Sequence, residues 1–212
     1  MHEQTHTWKT EIWAMLALGW PIVMTNLAQI AIGATDTLMM GWLGATDLAA
    51  GTLGTNLYFC FFVAGIGLVM ATSPMLAQTL GRQRHAVREC RRIVRQGLWL
   101  AAFYSLPVWL VLWNADTVLR LLGQEPDLIE TAVGYARSVC WGILPALGVV
   151  ALRSFIAAQE RPRAAMVVTV LAVGLNAFAN WLLIFGHWGF PAMGVAGAGW
   201  ASTASNLFMF TT

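Results

Sequence analysis

Residues 12–40 read IWAMLALGWPIVMTNLAQIAIGATDTLMM, and one charged side chain, Asp36, interrupts an otherwise uncharged run. The run is longer than the roughly 20 apolar residues that cross a bilayer. Similar runs recur along the chain, divided by short charged segments, which places spans at about 12-40, 48-80, 93-114, 128-157, 164-186 and 195-212. Five of these are expected to be complete, and the sixth to be cut. Composition agrees, with 58% apolar and 10% charged residues, against roughly 45–50% and about 25% in soluble domains. A soluble fold would lack polar surface, so the fold class is all-α, a polytopic membrane helical bundle.

Orientation follows from Lys and Arg in the short loops. Arg82, Arg84, Arg88, Arg91, Arg92 and Arg95 crowd one segment, Arg153, Arg161 and Arg163 lie around the next on the same side, and Lys9 precedes the first span. The opposite loops hold Asp47, Asp116, Glu125, Asp127 and Glu130, with Arg120 as their basic residue. The N-terminus is therefore expected in the cytoplasm. The arginine run acts as a topology determinant, with anionic lipid headgroups as its alternative use. The net charge of +2 does not indicate nucleic acid, because the basic residues separate apolar spans and have no stacking platform beside them. Cys60, Cys90 and Cys140 have no CxxC spacing, so neither zinc nor a disulfide framework is expected. The segment MHEQTHTWKTEIW has acidic residues and no short apolar region with a small-residue cleavage site, so the first span is expected to remain in the mature protein.

Asp36 is the acidic residue set well inside an apolar run, and an intramembrane carboxylate is a functional-site candidate because its charge is costly to bury. Asn26, Gln29, Gly33, Asp36 and Met40 follow steps of three and four, which predicts a shared helix face turned into the protein or a cavity. Asn176 and Asn180, one helical turn apart, offer two amides at matching depth in the fifth span. The returning sixth span brings Ser202 to the same level, with Thr203 as its nearest alternative. A carboxylate with amide and hydroxyl oxygens suits a hard monovalent cation, and a carboxyl that gains and loses a proton suits proton coupling. Low dielectric favours the neutral carboxyl and a bound cation favours the carboxylate, so the two can compete at one residue. The structural alternatives are a carboxyl that fixes helix packing and asparagines that join helices.

The remaining features read as architecture. Gly51, Gly54, Gly65, Gly67 and the stretch GVAGAGWAST predict close helix approach. Trp13, Trp20, Trp42, Trp99, Trp109, Trp113, Trp141, Trp181, Trp188 and Trp200 sit mostly near span ends, as an interfacial belt does. Met24, Met39, Met40 and Met70 read as gap-fillers, with an adaptable apolar cavity as their alternative. Pro21, Pro74, Pro107 and Pro145 are candidate kinks. Arg137 is expected to snorkel outward or pair with an acidic residue there.

Four ordered segments, DTLMMGWLGATDLAA, AQTLGRQR, ALRSFIAAQERPRAAM and NAFANWLLIFGHWGFPAMGVAGAGWAST, resemble the multidrug and toxic compound extrusion (MATE) transporters, in their NorM-like branch. The resemblance runs through the whole chain. It implies twelve spans in two pseudo-symmetric lobes, of which residues 1-212 form the N-terminal six-helix lobe, with the C-terminal lobe outside this chain. It also implies export of organic, often cationic, small molecules in exchange for sodium ions or protons, from the bacterial inner (plasma) membrane. The expected partners are these compounds and membrane lipids, with a monomer at full length and no cofactor beyond the coupling ion. Asp36, Asn176 and Asn180 match the family's N-lobe cation-site positions, where sodium would bind, and Ser202 stands where many members carry Thr. Another branch carries Asp at the position of Asn180.

Two other classes compete. A lipid-linked precursor flippase of related fold would need a strongly cationic central cavity, and little basic charge falls at mid-membrane. A membrane-embedded enzyme would need paired His or carboxylate clusters, which the spans lack. No enzymatic activity is expected.

Overall fold

A computed structural model describes residues 8–82, 87–159 and 162–212. Arg84 and Arg161 of the expected positive-inside set lie outside the described residues. The chain forms α1 (Trp8–Gly41), α2 (Ala45–Met70), α3 (Thr72–Arg82), α4 (Val87–Trp113), α5 (Ala115–Leu121), α6 (Pro126–Val139), a 3-10 turn (Cys140–Gly142), α7 (Ile143–Ala158), α8 (Pro162–Phe185) and α9 (Val195–Thr211). Five segments are long and apolar enough to cross a membrane: α1, α2 with α3, α4, α6 with α7, and α8. The sixth expected span corresponds to α9, of 17 residues. No strand occurs among the described residues, and the bundle is all-α as composition requires.

Two expected spans are broken, and proline explains both breaks. Pro74 cannot donate to the carbonyl four residues back, Met70, where α2 ends. Pro145 likewise cannot donate to Trp141, and the chain tightens into the 3-10 turn at that point. Pro21 and Pro107, by contrast, lie within the continuous helices α1 and α4. The helix α5 lies in a stretch the sequence reads as an outer loop. Its two buried residues, Ala115 and Leu119, pack on Ile129, Ala132, Val133 and Ala136 of α6, so tertiary burial makes a helix too short to register as a pattern.

Close packing carries the architecture, because lipid supplies no hydrophobic drive between helices. A Cβ on Gly54 would fall 2.9 Å from the Ala132 carbonyl oxygen, and one on Gly197 would fall 2.7 Å from that of Leu183. These two glycines let α2 meet α6 and α9 meet α8. Gly67 meets nothing within 4 Å. Its expected packing role fails because it stands two residues from buried Gly65, on the opposite side of α2.

Between α8 and α9 the chain reverses through Gly186, Gly189 and Gly194 at φ of +72°, +86° and +54°, values that glycine adopts without steric cost. Met193 and Gly194 then donate to the carbonyls of Leu183 and Ile184. The start of α9 is thereby tied to the end of α8.

The buried positions of α1 include Pro21, Thr25, Ala28, Asp36 and Met40, a stripe laid mainly on α8. Asn26, Gln29 and Gly33 are exposed. The expected common inward face therefore holds for Asp36 and Met40 alone, since residues 29 and 33 each follow a stripe position by about 100° of helix rotation. Among the methionines, Met40 is buried, Met24 and Met39 are half-buried, and Met70 is exposed. Most of the tryptophans are exposed, but Trp109 is half-buried and donates its indole N–H to Cys140 O at 2.8 Å, joining α4 to the 3-10 turn.

Candidate functional site

Asp36 comes from α1, Asn176 and Asn180 from α8, and Ser202 from α9, and the structure brings all four together. Asp36 is 7% exposed, Ser202 8%, and both asparagines are wholly buried. Their position follows from the packing just described. The spacing of four puts both amides on the face of α8 that meets α1, and the tied turn holds Ser202, two helical turns into α9, beside Asn180.

The carboxylate accepts from both neighbouring helices. Asn176 Nδ2 donates to Asp36 Oδ1 at 3.0 Å, and Asn180 Nδ2 donates to the same oxygen at 2.5 Å. Ser202 Oγ donates to Asp36 Oδ2 at 2.5 Å. Asn180 Nδ2 also reaches Asn176 Oδ1 at 3.2 Å. Thr203, the sequence alternative to Ser202, donates instead to Ser138 O.

One atom of the cluster is left over. Asn180 Oδ1 is buried with no hydrogen-bond partner, and an orphaned buried acceptor ordinarily costs about 1–3 kcal/mol. The donor set therefore has one free amide oxygen, a second amide oxygen held only by a neighbouring N–H, a hydroxyl oxygen and a carboxylate. Oxygen donors of this type fit a hard cation. No group of three or more His, Cys, Asp or Glu gathers among the described residues, and the cluster contributes a single carboxylate.

Sequence reading passed over two buried tyrosines. Tyr135 on α6 is buried, against Gly54 of α2. Tyr58 Oη is likewise buried without a partner. A tyrosine in a membrane helix gives no sign of which way it faces, so only packing could single these out. Arg137 takes the first of its two expected courses. It is exposed, with Nε donating to Trp113 O at 3.2 Å and the guanidinium 5.6 Å from the Trp113 ring centroid. Arg153, grouped by sequence with the loop arginines, lies inside α7 and is half-buried.

A helical membrane lobe with a buried carboxylate held by amides and a hydroxyl defines a class of polytopic membrane protein with a polar site inside its bundle, and comparison with known proteins narrows it. The chain belongs to the MatE family, the multidrug and toxic compound extrusion transporters, whose pattern it matches over residues 21–182. It is 53% identical over 203 residues to a probable multidrug resistance protein NorM of Mesorhizobium japonicum, covering 96% of this chain and 44% of that protein. With the NorM of Brucella suis the identity is 45% over 207 residues, covering 98% and 44%. The chain thus spans less than half the length of these curated relatives. Among solved structures, an outward-facing multidrug resistance MATE transporter of the MOP superfamily superposes with a TM-score of 0.78 at 22% identity, over 93% of this chain and 43% of that one. A MATE transporter in complex with MaL6 gives 0.81, also at 22% identity and with the same coverage. These structures share the fold.

Proposed function

We propose that this lobe is the N-terminal half of a secondary antiporter that exports organic, often cationic, compounds in exchange for sodium ions or protons. The observation that carries this reading is the orphaned oxygen of Asn180 beside a carboxylate that three helices hold in common. A cation entering there would draw Asn180 Oδ1 and a carboxylate oxygen to itself, and a proton would convert Asp36 from acceptor to donor. Either event breaks donor contacts between α1, α8 and α9, so occupied and empty sites favour different helix arrangements, which is what alternating access requires. Asp36 binds the coupling ion, and Asn176, Asn180 and Ser202 complete the site. The full protein would carry a second lobe that supplies the other half of the substrate path. It would act as a monomer in the bacterial inner membrane with its N-terminus in the cytoplasm.

The test uses the full-length protein in vesicles, a fluorescent organic cation, and sodium and proton gradients imposed separately. Export driven by one gradient and abolished in Asp36→Asn supports the reading and names the ion. Gradient-driven export at the normal rate in that variant removes Asp36 from the mechanism, and failure of several cations to move under either gradient rejects the antiporter.

A further inference from the structure

Arg153 lies five residues before the end of α7 at Ala158, about 7 Å by helical rise. Its guanidinium turns inward between three helices. Arg153 Nη2 donates to Thr169 Oγ1 of α8 at 2.8 Å and lies 3.9 Å from Met209 Sδ of α9. Thr169 is 1% exposed, and its hydroxyl is already committed as a donor to Ala165 O. Both partners of the arginine are neutral. Among the described residues the one ion pair is Arg120–Asp116, near the opposite end of the bundle. A guanidinium has five N–H donors, and a charged head at membrane depth is costly unless compensated.

Two cavities meet at this side chain. One, of about 350 Å³, is walled by apolar side chains including Val149, Leu152, Phe155, Val168 and Phe210. The other, of about 250 Å³, lies between α1, α3, α7 and α8 and presents Thr25, Asn26, Ser73 and Ser154. Ile156 and Ala165 border both. Ala164 and Ala165 belong to the first turn of α8, where the helix dipole favours anions.

We propose that an anionic phospholipid seats its phosphate on Arg153 with an acyl chain in the apolar cavity. The leaflet is the one at the bundle end where Arg88, Arg91, Arg92, Arg95 and Arg163 are exposed. Charge selects the headgroup, because a planar guanidinium matches phosphate oxygens in pairs and a zwitterionic lipid brings its own cation. Arg153 lies within about 7 Å of the end of α7 on that side of the bundle. The apolar walls select a lipid over free phosphate, which would leave the larger cavity unfilled. Thr169 stands seven residues before Asn176 on α8, about 10 Å from the carboxylate cluster, so this site is separate from that of Asp36 and does not depend on the antiporter reading.

The experiment uses the full-length protein in detergent, stripped of lipid and offered phosphatidylglycerol and phosphatidylcholine of equal chain length, with bound lipids counted by native mass spectrometry. The wild type should retain one phosphatidylglycerol preferentially, and Arg153→Gln should weaken that lipid about 10–100-fold with phosphatidylcholine retention and elution profile unchanged. Ala165→Phe, which keeps the arginine and fills the shared wall, should also lose it, and exposed Arg163→Gln should keep it. Equal retention by wild type and Arg153→Gln overturns the proposal. So does absence of any preference in the wild type, the result if another carboxylate or segment of the full-length chain covers Arg153. Displacement of the lipid by millimolar inorganic phosphate would reduce the site to a simple anion site and overturn the lipid assignment.

Discussion

Asp36 and Ser202 are 166 positions apart and are joined by one hydrogen bond, Ser202 Oγ to Asp36 Oδ2, while both asparagines donate to Oδ1. Each carboxylate oxygen is therefore addressed by a different helix, Oδ1 by α8 and Oδ2 by α9. Ser202→Ala removes the donor on the α9 side alone. The Ser202 oxygen is also one of the ligands of the proposed cation site, and losing a polar contact to a charged group costs about 1.5–3 kcal/mol, so the ion concentration for half-maximal export by the full-length protein should rise about 10–100-fold. Ser202→Thr should stay within about threefold of wild type because the hydroxyl remains. Equal behaviour of the Ala and Thr variants would remove Ser202 from the site.

Gly197 sets the approach of α9 to α8. A methyl group there would press on the Leu183 backbone at 2.7 Å, and backbone cannot swing aside as a side chain does. Gly197→Ala should cost about 1–3 kcal/mol by overpacking and lower the thermal midpoint of the full-length protein. Gly67→Ala, with nothing within 4 Å, serves as control, and equal midpoints for the two variants would show that α9 is not held this tightly.

Arg120 beside Asp116 holds that carboxyl below the usual carboxylate range, through its hydrogen bond first and its charge second. A carboxyl depressed in the folded state contributes stability above its unfolded value, about 3.9, and loses it as pH falls through the folded value. Between pH 5 and 8 the pair therefore adds no pH dependence. Both side chains are well exposed, and exposed pairs contribute little. Thermal midpoints of wild type and Asp116→Asn should run parallel across that range, and divergence would show that the carboxylate has another partner.

The arginine-rich end is expected in the cytoplasm. In a cysteine-free full-length background, Glu130→Cys should react with a membrane-impermeant thiol reagent on intact cells, and Arg92→Cys only after permeabilisation. Both positions are exposed. The opposite labelling pattern would invert the topology.

Much of the site was legible before the fold was known, because burying charge in lipid is costly enough for one carboxylate in an apolar run to stand out. Asn176 and Asn180 could be read for the same reason, as amides one turn apart at matching depth. Asn26 and Gln29 misled, since helical periodicity gives the angle between side chains but not the direction in which a neighbour lies. The breaks at Pro74 and Pro145 and the continuity at Pro21 and Pro107 show a similar limit. Proline removes a bond wherever it stands, and the surrounding packing decides whether the helix yields.

Sequence alone determined the lipid-embedded helical class, the approximate spans and the carboxylate around which the site forms, because the energy of placing residues in hydrocarbon depends on their own chemistry. Only the tertiary structure decided which helix addresses each oxygen of Asp36, which glycines are crowded, and that Arg153 turns inward between two cavities. Those outcomes depend on contacts between segments remote in the chain, and local pattern carries no record of them.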